Sequence, residues 1–229
     1  MTYLFDPPAP VSVPILDSGK RFPVRRIFCI GRNYAEHARE MGMEVDRSTP
    51  VFFTKPADAL VTDGADTPYP PATTDLHHEV EMVVALAGGG RDVPVSRAAS
   101  LVFGHAVGLD LTRRDLQAAS KAKGLPWDTA KAFDYSAPVS ALCPVDKARP
   151  GDDTVLRLRV NGEVRQQAEL AAMLWRVPEI LAELSRLFEL KCGDLVFTGT
   201  PAGVAALQRG DTLEAELGEI AHLRTRIVD

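Results

Sequence analysis

VLRLRVNGEVRQQ, residues 155–167, is the stretch on which the architecture turns. Asn161-Gly162 supplies the two positive φ values of a type I′ turn, so residues 155–160 and 163–167 read as an antiparallel hairpin. Outward from it, buried or half-buried strands are expected at 24–30, 51–55, 79–86, 102–111 and 195–198, and near 212–217 and 222–228. Helices fall between them. One starts at Tyr34, behind the capping-box spacing of Asn33 and Glu36, and should stop at Gly42. Another follows Thr112, runs to about Lys123 and stops at Gly124. A third begins at Pro178, which suits a first helical turn, and extends to about Leu190. Residues 95–99 form a connector or short helix. Residues 43–50, 62–75 and 125–138 read as loops. There is no regularly spaced βαβ unit and no internal repeat. The fold class is therefore α+β: a mixed β-sandwich roll with short peripheral helices. The Pro-rich residues 1–20 form an arm, and 21–229 one domain.

Composition narrows the function. The 229 residues (24.8 kDa) are 45% hydrophobic and 25% charged, as in ordinary folded proteins. Net charge is −5 with no long basic block, which argues against nucleic acid. No apolar run is long enough to span a membrane. The start, MTYLFDPPAPVSVP, lacks the pattern of a secretion signal, so the cytoplasm is the expected compartment. Cys29, Cys143 and Cys192 are few, odd in number and far apart, which argues against disulfides and a zinc knuckle.

DLHHEVEM, residues 75–82, gathers acids and histidines ahead of an apolar run. On a strand, Glu79 and Glu81 share a face, about 6.6 Å apart along the backbone. They are either the solvated face of a half-buried strand or two oxygen ligands for a hard cation. Asp110, in HAVGLDL, is the candidate third ligand. It shares a face with Ala106 and Gly108, the mark of a strand approached closely; otherwise it is a helix cap. His77 points the same way as Glu79 and Glu81, and His78 the opposite way. Either is a surface histidine or orients a ligating glutamate. HHExE is not the helical HExxH of zinc enzymes.

His37 and Glu40 stand at i, i+3 on the early helix, where the carboxylate can fix the imidazole as a general base. Cys29 sits in an apolar strand and reads as packing. GTPAG, residues 199–203, has backbone amides that could cradle a carboxylate but no nucleotide spacing. Lys131, in PWDTAKAFD, is a surface lysine or an oxyanion partner.

The order GRNYAEHAREMG, FTKPADA, DLHHEVEM, GLDLTRRDLQ, GLPWDTAKAFD, DLVFTGTPAGV resembles the fumarylacetoacetate hydrolase family, and within it the bacterial fumarylpyruvate hydrolases of the gentisate pathway. The resemblance implies one Mg²⁺ or Mn²⁺, with Ca²⁺ possible, on Glu79, Glu81 and Asp110. It implies water activation by His37 with Glu40, and places Lys131, Gln117, Thr200 and Arg32 at the substrate. It also implies a homodimer. The implied reaction is hydrolysis of a 2,4-diketo acid, such as fumarylpyruvate to fumarate and pyruvate. Water activated by His37 attacks C4, Lys131 steadies the oxyanion, and a metal-stabilised pyruvate enolate leaves. Acylpyruvate hydrolysis, oxaloacetate decarboxylation and isomerisation of an unsaturated keto acid are the neighbouring activities. A metal-stapled structural or binding domain is the non-enzymatic alternative.

Overall fold

The computed structural model describes every residue except Met1, Met41, Met43 and Asp46. The hairpin is present: Val155–Val160 pairs antiparallel with Glu163–Glu169, and Asn161 and Gly162 have φ of 52° and 82°. It opens a five-stranded sheet that continues through Thr212–Leu217 and Ala221–Val228 to the short strand Thr67–Pro68. A six-stranded sheet faces it. Its order is Cys143–Pro144, Val102–Leu109, Val80–Leu86, Asp194–Phe197, Arg26–Gly31 and Val51–Lys55. Asp194–Phe197 runs parallel to Arg26–Gly31 and antiparallel to Val80–Leu86, so the sheet is mixed.

The chemistry of the central strands follows from their burial. Every residue of Val80–Leu86 is buried, because the strand has apolar layers on both faces. Val80, Met82, Val84 and Leu86 pack with Leu156, Leu158, Leu213 and Leu217 of the other sheet. Val83 and Ala85 pack on the opposite side with Cys29, Ala106 and Phe197. A strand buried on both faces carries a charge only where that charge is partnered, and that makes Glu81 notable.

Helices occupy the periphery, at Ala35–Glu40, Val95–Ala98, Arg114–Lys123, Asp128–Lys131 and Val177–Leu187. Gly124 ends the third with φ 64°, as expected. Four expectations need correcting. The 62–75 segment is not only loop, since Thr67–Pro68 pairs with Ile227 and Val228 as an edge strand. The 125–138 segment contains a one-turn helix, not only loop. The last helix stops at Leu187, since Phe188 is extended and Leu190 bonds to Gly90 across the structure. Asn33 does not cap the first helix. Its side chain donates to the Trp175 and Thr198 carbonyls and accepts from the Trp175 amide, so its bonding capacity goes into joining three segments. The expected stop at Gly42 adjoins Met41, and the expected 43–50 loop includes Met43 and Asp46; these three lie outside the described residues. In the N-terminal arm, Ser12–Pro14 pairs with Arg21–Pro23, and Val13 is fully buried.

Candidate active site

The antiparallel register sets Glu81 opposite Gly108 and Val80 opposite Leu109, and the Asp110 amide donates to the Glu79 carbonyl at 2.8 Å. Two strand ends are thereby clamped with Glu79, Glu81 and Asp110 together. All three are buried, and one ligand oxygen from each lies within 4.8 Å of the others. Asp110 caps no helix, because the following helix starts only at Arg114. Gly108 is needed for packing: a Cβ there would lie 2.9 Å from both the Phe197 ring and the Val83 side chain. The close approach read from the small residues is that of a core phenylalanine.

Positive groups enclose the acids. Lys131 is 2% exposed, and its Nζ donates to Glu79 Oε2 at 2.8 Å and Asp110 Oδ2 at 2.7 Å. It is no surface lysine. Burial works against its charge, but Asp110 and Glu79 outweigh burial and raise its pKa. Lys55, also buried, places Nζ 2.9 Å from Asp110 Oδ1 without hydrogen-bond alignment, and donates to the carbonyls of Leu111 and Lys131. Arg114 Nη2 donates to Glu79 Oε1 at 2.5 Å. Burial opposes ionisation of Glu79, yet Lys131, Arg114 and His37 together pull its carboxyl well below the usual range. Glu81 differs. Among the described residues its one hydrogen bond comes from the Gly199 amide, at 2.6 Å, and burial, Asp110 and Glu79 push its pKa well above normal.

This donor set fits a divalent cation. Three convergent carboxylates are hard oxygen ligands, and Glu81 is a buried acid that has no ion pair among the described residues. A cation there would relieve that deficit.

His37 is buried, and its Nδ1 lies 3.2 Å from Glu40 Oε2. Glu40 in turn accepts from the Gly203 amide at 3.0 and 3.2 Å. The GTPAG amides thus do cradle carboxylates, but the protein's own: Gly199 holds Glu81 and Gly203 holds Glu40. Only glycine suits position 199, where φ is 92° and a Cβ would lie 2.6 Å from the Asn33 side chain.

A narrow cleft opens onto these groups. Its walls include Arg32, His37, Glu79, Glu81, Asp110, Gln117, Lys131 and Thr200. Of the residues that the family resemblance implies for the site, Glu40 is the one absent from the lining, one hydrogen bond behind His37. Gln117 spends its carbonyl on Arg114, at 2.6 Å, and keeps its amide N–H donors. Thr200 Oγ1 accepts from Gln166 at 2.8 Å and keeps its own proton to donate.

Neither histidine of DLHHEVEM orients a glutamate. His77 bonds Asp75, and His78 is buried with Nδ1 2.8 Å from Gln166 Oε1. Cys29 is fully buried, and burial, then Asp110, push its thiol pKa far up, which suits packing and not nucleophilic attack. Lys55, Arg114 and Gln166 escaped the sequence reading. A lysine closing an apolar strand was the available signal for Lys55, and the i, i+3 spacing to Gln117 the signal for Arg114.

Residues 26–228 match the family model described as fumarylacetoacetate (FAA) hydrolase C-terminal. The crystal structure of fumarylpyruvate hydrolase from Pseudomonas aeruginosa in complex with Mn²⁺ and pyruvate superposes with a TM-score of 0.96 at 46% identity, covering 99% of each chain. The mitochondrial oxaloacetate tautomerase FAHD1 of Rattus norvegicus is 41% identical over 203 residues, 89% of this chain and 91% of its own length. The mitochondrial oxaloacetate decarboxylase of Dictyostelium discoideum is 37% identical over 191 residues, 83% of this chain and 87% of its own.

Proposed function

The chain belongs to the fumarylacetoacetate hydrolase family, and from that premise we propose that it hydrolyses a carbon–carbon bond of a 2,4-diketo acid, fumarylpyruvate first among them. The observation that carries this reading is that His37, held by Glu40, opens onto the same cleft as the three acids. A water-activating base is what hydrolysis requires and decarboxylation does not.

Glu79, Glu81 and Asp110 would hold Mg²⁺ or Mn²⁺. Such an ion supplies Lewis acidity toward the keto-acid oxygens and tolerates the enolate charge of the departing fragment. The chain's own groups do the rest. His37, its ring fixed by Glu40, takes a proton from water, and the hydroxide oxygen bonds to C4. The Lys131 ammonium, with the Gln117 amide, steadies the oxyanion that forms. Collapse of that intermediate restores the C4 carbonyl and breaks C3–C4, leaving the electron pair on C3. The proton held by the imidazole is then available for C3, giving pyruvate and the second acid. Atoms balance with one water consumed. Arg32 and Thr200 bind the substrate. Residues 21–229 act as the catalytic domain, the assembly is a homodimer, and the role is gentisate-type aromatic catabolism in the cytoplasm.

The second reading is oxaloacetate chemistry. It draws on the tautomerase and decarboxylase relatives, whose lengths this chain covers almost fully. A panel of fumarylpyruvate, acetylpyruvate and oxaloacetate with Mg²⁺ or Mn²⁺ separates the two. Hydrolysis should dominate, and His37→Ala should lower its kcat by about 10²- to 10⁴-fold while Mn²⁺ affinity stays within about threefold. Full hydrolysis by His37→Ala would remove the base from the scheme.

A further inference from the structure

We propose that Lys121 and Arg32 receive the far carboxylate of an extended dicarboxylic diketo acid, so that the cleft selects long dianions over monoanionic acylpyruvates and over short dicarboxylates. The inference rests on the diketo-acid reading above and adds what distinguishes substrates within it.

Partners come first. Lys131, Lys55 and Arg114 are each committed to Glu79 or Asp110. Arg32 and Lys121 line the same cleft, and among the described residues neither has a carboxylate partner. The lining carries four cationic residues, Arg32, Arg114, Lys121 and Lys131, against three carboxylates, Glu79, Glu81 and Asp110. A divalent cation on the acids would widen that imbalance, and an anionic substrate with two charges offsets more of it than one with a single charge. Lys121 is half-buried, and its pKa is lowered by burial and then by Arg114 and Arg32. Like charges crowded without a counterion mark a place where an anion binds. Its Nζ lies 5.2 Å from the Trp127 ring centroid, which helps hold the ammonium at the cleft wall.

Spacing sets the length. Arg114, Gln117 and Lys121 stand at i, i+3 and i+7 of the helix Arg114–Lys123, on one face. Arg114 touches Glu79 and so marks the metal end. Lys121 lies about 10 Å farther along the axis. An extended seven-carbon diketo dicarboxylate separates its carboxyl carbons by roughly 7.5 Å, so that its outer oxygens and a hydrogen bond can bridge that distance, whereas oxaloacetate spans only about 4 Å. Arg32 lines the same cleft from a different element, in a left-handed conformation, φ 62°, directly before Asn33, whose three hydrogen bonds fix the turn. A non-glycine residue held there is a strained one, maintained by its surroundings.

The test is kcat/KM for fumarylpyruvate and acetylpyruvate with Mg²⁺, for the wild type, Lys121→Gln, Lys121→Arg and Arg32→Gln. The wild type should favour fumarylpyruvate. Either Gln variant should lower the fumarylpyruvate-to-acetylpyruvate ratio at least about tenfold, mostly through KM, and Lys121→Arg should keep it within about threefold. A ratio that both Gln variants leave unchanged overturns the inference, as does a Lys121→Arg variant that falls as far as Lys121→Gln. A wild type that hydrolyses both substrates equally well overturns it while leaving the diketo-acid reading in place. A wild type that hydrolyses neither removes both.

Discussion

The strand Val102–Leu109 meets buried polarity twice, with opposite treatment. Just past its end, Asp110 is fully buried and held by Lys131 and Lys55, with Glu79 and Glu81 alongside. Within it, His105 is nearly as buried, but its Nδ1 has no hydrogen-bond partner among the described residues. It shares a side with Val107 and Leu109 and borders a second cavity with Met82, Leu170, Val177 and Arg149. Its ring responds by staying neutral. In the first cluster Glu79 and Asp110 each meet cationic side chains, and Glu81 is left to a cation; the second gives its charge up. Burial alone therefore does not mark a reactive site in this fold. Convergence of opposite charges around a cleft does.

The strongest way to break that contrast is at Glu81, the acid with the least compensation. Glu81→Gln should keep the Gly199 hydrogen bond but remove a ligand charge. Turnover should drop at least about a thousandfold, and Mn²⁺ binding by calorimetry should weaken about 10- to 100-fold or more. Chelation of the wild type should reproduce the loss of turnover, and Mg²⁺ or Mn²⁺ should restore it. The substitution also relieves a buried like-charge cluster, so the melting temperature of the metal-free protein should hold or rise. Unchanged turnover would mean that the three acids are structural.

Next in size is Lys55, whose role is positioning. Lys55→Met removes the ammonium 2.9 Å from Asp110 Oδ1 and the donor to the Leu111 carbonyl, while the Lys131 carbonyl keeps the Ser136 hydroxyl. Removing one partner of a buried pair costs about 3–5 kcal/mol, to be read from urea unfolding. Added Mn²⁺ should recover part of that loss, because the cation supplies charge to the same carboxylate. A loss under about 1 kcal/mol would show that Lys131 alone neutralises Asp110.

How much of this was visible beforehand depends on the range of the interaction. The Asn161-Gly162 hairpin, the Gly124 helix stop and the Glu79/Glu81 pairing are local, and period and turn chemistry expose them. The family model and the solved relative agree with the α+β roll read from that pattern. What joined distant segments was hidden. Asn33 looked like a cap because Glu36 stands three residues on, but its real partners, Trp175 and Thr198, lie far along the chain. Lys131 looked exposed because its neighbourhood is loop-like, and its acids come from two other strands. His78 looked like a surface or ligand-orienting residue, whereas Gln166 of the other sheet engages it. Each of these residues takes its role from a partner that sequence spacing does not bring near.

The smallest effect belongs to the other side of the comparison and sharpens it. Burial, and then Arg149, hold the His105 pKa at about 4, against an ordinary 6.5. The unfolded chain takes up this proton as pH falls through about 6.5, while the native state refuses it until about pH 4. The unfolded state then binds more protons, so the contribution of His105 to stability is full above pH 6.5 and declines down to about pH 4. The ceiling on that decline is about 3 kcal/mol, from the shift at 1.36 kcal/mol per unit. Other groups titrate in the same window, so the informative quantity is a difference between variants. His105→Gln cannot titrate and should lose about 2–3 kcal/mol less than the wild type between pH 7.5 and 4.5, measured by urea unfolding of the metal-free protein. If the two lose stability in parallel to within a few tenths of a kcal/mol, the imidazole is protonated normally inside the fold, and the distinction between a paired and an unpaired buried group on this strand fails.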